Sequence, residues 1–151
     1  MRTKKLGLLE VSVVGLGCNN FGGRIDEAAT GAVIDAALDA GVTFFDTADM
    51  YGNKGGSEEL MGRALQGRRD QVVLATKFGK EMGDGATRRG TREYILRALD
   101  ASLQRLQTDV IDLYQHHEED PDTPLGETIG TLDELVELRA TGTPDSAASC
   151  S

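Results

Sequence analysis

The chain has 151 residues, enough for one domain with its own core, and its 39% apolar and 27% charged residues exclude a disordered composition. A formal net charge of -9 argues against a nucleic-acid partner, and no apolar run approaches the roughly 20 residues that span a bilayer. Cys18 and Cys150 form neither a disulfide framework nor a metal-ligand spacing, and no secretory signal follows Met1, so no metal and a reducing cytoplasmic setting are expected.

Residues 1–12 predict a short strand pair or arm. Val13-Val14-Gly15-Leu16-Gly17 predicts a first buried strand that closes on glycine, with a loop over 19–23. Asp26 caps a helix in which Val33, Ile34, Ala37 and Leu38 share one face, and Gly41 stops it. A second unit follows: a strand over 42–48, a loop over 51–56, then a helix. Ser57 is its expected cap, Glu58 and Glu59 favour its dipole, and Leu60, Met61, Ala64 and Leu65 are its apolar face. The third unit is a strand over 71–78, a glycine-rich loop over 79–90, and a helix from Arg92. Ile95, Ala98, Leu99, Ser102, Leu103 and Leu106 line one side of that helix. The fourth is a strand over 110–117, an acidic loop over 118–124, and a helix carrying Leu125, Ile129, Leu132, Leu135 and Val136.

Near-continuous apolar strands alternating with amphipathic helices indicate a parallel sheet covered by helices. Right-handed crossovers leave an open doubly-wound sheet or a (β/α)8 barrel. Residues 141–151 are small, polar and patternless where a fifth strand would stand. The expectation there is a disordered tail translated in a shifted frame.

Reactive residues stand at the ends of three of these strands: Asp46 with Tyr51 beyond it, Lys77, and the pair His116-His117. In barrel enzymes the carboxyl ends of the strands carry the chemistry. A tyrosine hydroxyl ordinarily titrates near about 10, and a nearby ammonium favours its phenolate. Asp46 could orient such an ammonium on Lys77, and an imidazole could hydrogen-bond a substrate oxygen. Such a group suits protonating a carbonyl oxygen while a hydride arrives from a cofactor. Taken singly, each residue is more often a cap, an ion pair or core. Strand side chains alternate, so of His116 and His117 one faces the site and the other the helical layer. Asp109 and Asp112 fit hydrogen bonding at the strand start, and Tyr114 fits the core. The Gly15-Leu16-Gly17 run lacks the third glycine of a dinucleotide fingerprint, and Lys54-Gly55-Gly56-Ser57 does not make a phosphate loop.

The ordered segments Gly41-Val42-Thr43-Phe44-Phe45-Asp46-Thr47-Ala48-Asp49-Met50-Tyr51-Gly52, Leu74-Ala75-Thr76-Lys77-Phe78 and Asp112-Leu113-Tyr114-Gln115-His116-His117 resemble the aldo-keto reductase family. The resemblance covers residues 1–140. It implies the first four βα units of an α/β, (β/α)8 TIM-type barrel, a half barrel with an N-terminal arm. It also implies NADPH-dependent reduction of an aldehyde or ketone, with a small-molecule carbonyl substrate. Tyr51 is the implied general acid, Lys77 and Asp46 tune it, and His117, five positions after Asp112, orients the carbonyl. The loop after the first strand, Cys18 and Asn19 and more loosely Arg24, is the implied cofactor contact, with Asp46 near the nicotinamide ribose. Most of the family's cofactor site lies on strands five to eight, outside the matching part. Four units leave two open sheet edges, near Val13 and Val110, that invite self-association. A non-enzymatic interaction or regulatory module on the same half barrel is the alternative, and a sugar-phosphate enzyme a third.

Overall fold

The computed structural model describes residues 1–141; of the expected tail at 141–151, all but Thr141 lie outside the described residues. The arm is an antiparallel hairpin of β1 (Thr3–Leu6) and β2 (Leu9–Ser12), turned at Gly7 with φ 60°. Four further strands form one parallel sheet in chain order: β3 (Gly15–Gly17), β4 (Phe44–Asp46), β5 (Val73–Phe78) and β6 (Leu113–His116). The register sets Gly17 beside Asp46, Asp46 beside Ala75, and Phe78 beside His116. Consecutive parallel neighbours joined by helices are the first half of a barrel's strand order.

The strands are shorter than their apolar runs because side chains take over the ladder at their starts. Ser12 Oγ accepts from the N–H groups of Thr43 and Phe44 at 2.9 and 3.2 Å, tying the hairpin under β4. Asp112 Oδ2 accepts from Leu74 N at 2.9 Å and from Arg69 Nη2 at 2.7 Å, as expected of an acid at a strand start.

The helices are α1 (Glu27–Asp39), α2 (Tyr51–Ala64), α3 (Arg92–Leu106) and α4 (Leu125–Thr141). Asp26 caps α1 through Ala29 N at 2.9 Å, and Gly41 ends it at φ 77°. Residues 52–55 of α2 are a left-handed turn rather than regular helix, with Gly52 at φ 67°. A Cβ on Gly52 would lie 2.4 Å from both Phe21 O and Ser57 N, so only glycine fits this crossing. Gly62 lets α2 approach α3, since a Cβ there would stand 2.5 Å from Arg105 O. One core joins Cys18, Ile34, Phe45, Met61, Leu74 and Leu106, and a smaller one joins Phe78, Tyr94 and Ile95.

Two sequence expectations need correction. Ser57 does not cap α2: its hydroxyl donates to Cys18 O at 2.8 Å and lies 2.8 Å from Thr47 Oγ1, both buried. The face of α4 is also rotated. Thr128 and Thr131 are buried, with Thr128 Oγ1 donating to Gly90 O at 2.8 Å, while Leu125, Ile129 and Val136 are 58%, 56% and 67% exposed. Leu132 and Leu135 of the expected stripe do pack against the smaller core of Phe78, Tyr94 and Ile95, so the stripe is covered in part and Leu125, Ile129 and Val136 are left exposed.

Candidate active site

Side-chain alternation decides what each strand end offers. Ala75 and Lys77 face one side of β5, while Thr76 and Phe78 face the other. Lys77 Nζ donates to Asp46 Oδ2 at 2.7 Å and to Thr47 O at 2.8 Å. Held there, the ammonium lies 5.1 Å from the centroid of the Tyr51 ring. The main chain locks the same place: Thr47 N donates to Ala75 O, Asp49 N to Lys77 O and Tyr51 N to Ala48 O. The segment 46–51 is therefore laid across the end of β5, which presents Tyr51 over Lys77.

His117 extends the ladder past β6, its N–H donating to Phe78 O at 2.8 Å. Its ring stands edge-on to Tyr51, 5.6 Å between centroids at 87°. Burial, then the Lys77 and Lys80 ammoniums, hold His117 below its ordinary value, so at neutral pH it is an uncharged hydrogen-bond donor. His116 points the other way and stacks on Phe78 at 5.1 Å, as does Tyr114 at 4.9 Å. The two histidines alternate as expected, and the ring contacts put His117 beside Tyr51 and His116 on the other side. Asp46, Tyr51, Lys77 and His117 thus converge, and together they can pass a proton to an oxygen seated between phenol and imidazole.

The other sequence candidates are more dispersed. Cys18 is fully buried, and its Sγ lies 3.4 Å from Leu16 O. Its N–H donates to Asp46 O at 2.8 Å, and burial pushes the thiol up to about 12. What Cys18 holds is the loop, and none of its surface faces a ligand. Asn19 and Arg24 are exposed on that loop, Arg24 lining a groove with Glu59 and Arg63 against α2. Asp46 keeps 35% of its side chain exposed. Among the described residues no cluster of His, Cys, Asp and Glu could hold a metal, and no helix is long and apolar enough to cross a membrane.

Sequence reasoning missed a second group, behind the sheet. Glu58 is fully buried, accepting from Thr76 Oγ1 at 2.6 Å and from Arg105 Nε at 2.7 Å. Asp49 is 1% exposed, and its Oδ1 has no hydrogen-bond partner. No local signal marks this group, because Glu58 and Arg105 are 47 positions apart.

Three comparisons bear on this geometry. The sequence model of the Aldo/keto reductase family matches residues 13–144. Two Bacillus subtilis proteins are similar: an uncharacterized oxidoreductase, YqkF, and the aldo-keto reductase YhdN. YqkF is 41% identical over 89% of this chain and 45% of its own length. YhdN is 43% identical over 89% of this chain and 43% of its own. Among solved structures, the holo form of aldo-keto reductase AKR11C1 from Bacillus halodurans superposes with a TM-score of 0.79. It shares 39% identity and covers 91% of this chain and 47% of that one. The chain spans about half the length of the curated relatives it matches. With the strand order and the match over 13–144, this chain belongs to the aldo/keto reductase family.

Proposed function

We propose that this site reduces an aldehyde or ketone to an alcohol, with NADPH as the cofactor and Tyr51 as the general acid. The observation that carries the reading is the seat of Lys77 Nζ, shared by Asp46 Oδ2 and Thr47 O and 5.1 Å from the Tyr51 ring. When bound, NADPH supplies the hydride that no side chain can supply. The residues present fit its nicotinamide end: Asp46 uses Oδ2 for Lys77 and, at 35% exposure, has its other oxygen open to a ribose hydroxyl. Asn19 and Arg24 are exposed on the loop beside it. Neutral His117 donates a hydrogen bond to the carbonyl oxygen and orients it. Tyr51 gives that oxygen its proton, and the fixed ammonium of Lys77 stabilises the phenolate left behind. A cytoplasmic setting belongs to the same proposal, resting on the free, buried Cys18. NADPH binding, read by fluorescence quenching, tests the reading. Tyr51→Phe is expected to leave binding intact and cut carbonyl reduction by about 10²-fold or more. Unchanged turnover in Tyr51→Phe overturns the role of Tyr51.

A second reading, association through this half barrel, rests on the edges of β3 and β6 that no strand pairs among the described residues and on the exposed apolar side of α4. Open parallel edges and uncovered apolar surface favour self-association. Sedimentation of the purified chain is expected to show oligomers, and a sharp monomer that unfolds cooperatively would refute this.

A further inference from the structure

We propose that Asp49 is a positioning residue for Tyr51: as a neutral acid it anchors the segment 46–51 over Lys77, and on losing its proton it loosens that segment. The inference rests on the reading of Tyr51 as proton donor, and three observations support it.

The first is attachment. Asp49 N donates to Lys77 O at 3.1 Å, and the next turn, Tyr51 N to Ala48 O at 3.1 Å, carries the phenol. Any shift of Asp49 is therefore handed to Tyr51 and to the Thr47 carbonyl that Lys77 Nζ holds.

The second is charge balance. Asp49, 1% exposed, lies on the far side of the sheet from Lys77, close to Glu58 of α2, which is fully buried. Arg105 of α3 is the cation of this cluster, and its Nε is already spent on Glu58 at 2.7 Å. The other titratable groups turned toward Asp49 add no compensating positive charge: Tyr94 of α3, Tyr114 of β6, and Asp84 in the loop before α3. Two buried carboxylates and one guanidinium cannot both be charged cheaply.

The third is the orphaned oxygen. Asp49 Oδ1 has no hydrogen-bond partner although it is buried, a placement a neutral acid tolerates far better than a carboxylate. Burial, followed by the Glu58 carboxylate, raises Asp49 to about 7, so the proton is lost in the range where the site would work. A charged Asp49 favours contact with water, and because its own N–H is bonded to Lys77 O, a shift in that direction strains the segment 46–51.

The test is carbon-13 NMR of the chain labelled at tyrosine Cζ, titrated from pH 5 to 9. The chain has 3 tyrosines, and Tyr51→Phe assigns the relevant signal. The Tyr51 signal is expected to inflect near pH 7 in the unaltered chain and to lose that inflection in Asp49→Asn. A lower inflection arising from His117 is identified by its loss in His117→Gln. A merely structural Asp49 would leave no inflection near 7 to remove. The proposal falls if the unaltered chain shows none, or if the inflection persists in Asp49→Asn. Neither result depends on NADPH binding or turnover, so failure here is separable from failure of the reductase reading.

Discussion

The sheet separates two carboxylate–cation pairs of equal length and opposite setting. In front, Lys77 Nζ meets Asp46 Oδ2 at 2.7 Å, with 13% and 35% of the side chains exposed. Behind, Arg105 Nε meets Glu58 Oε2 at 2.7 Å, with 20% and 0% exposed. The rear pair is tied into the fold at both members: Glu58 also accepts from Thr76 Oγ1, and Arg105 Nη2 reaches Ser102 Oγ at 3.3 Å. It ties α2, β5 and α3 together. The front pair keeps an open carboxylate oxygen and an ammonium beside a phenol. The same distance thus joins a carboxylate shut away from water behind the sheet and one that water reaches in front.

The sharpest way to break this contrast is Glu58→Ala. Removing one member of a buried pair strands the other and is expected to cost about 3–5 kcal/mol. Thr76 Oγ1 and Arg105 Nε lose their acceptor at the same time. The loss is read from the midpoint of urea unfolding, with the slope checked for a changed denatured state. Glu58→Gln, which can still accept from Thr76, is expected to lose less. A cost below about 1 kcal/mol for Glu58→Ala would place the rear pair in the same class as a surface pair.

The front of the molecule was far more legible in the sequence than the back. Asp46, Tyr51, Lys77 and His117 lie at the ends of apolar runs, and a parallel sheet brings successive strand ends together whatever the details of packing. Period-2 alternation puts His116 and His117 on opposite sides without saying which faces the site; the family spacing from Asp112 selects His117, and His116 stacks on Phe78. The back depends on contacts between elements distant in sequence. Ser57, Glu58 and Glu59 carry the local grammar of a helix start, yet Glu58 is drawn inside by Thr76 and Arg105, and Ser57 by Cys18 and Thr47. The left-handed turn at 52–55 agrees with the expected loop before the helix, and only the cap differs, the Ser57 hydroxyl being drawn to tertiary partners. On α4 the apolar set Leu125, Ile129, Leu132, Leu135 and Val136 is split: Leu132 and Leu135 pack, while the other three are exposed, because periodicity reports which side is apolar and not which neighbour covers it.

Lys77→Met sharpens the contrast from the other side. Methionine keeps the unbranched stem and removes only the ammonium. The stranded Asp46, 35% exposed, can rehydrate, so the expected stability loss is about 1 kcal/mol, several-fold less than for Glu58→Ala. The chemical loss should run the opposite way. The variant removes the cation 5.1 Å from the Tyr51 ring centroid that the proposed proton transfer relies on. Any carbonyl reduction should fall by about 10²-fold or more. Urea unfolding and turnover measured on the same preparation decide between the two roles. If Lys77→Met unfolds as easily as Glu58→Ala, the front pair is structural as well, and loss of activity in that variant says nothing of proton transfer. If stability is nearly kept while turnover collapses, the ammonium is held at the strand end for Tyr51 rather than for the fold.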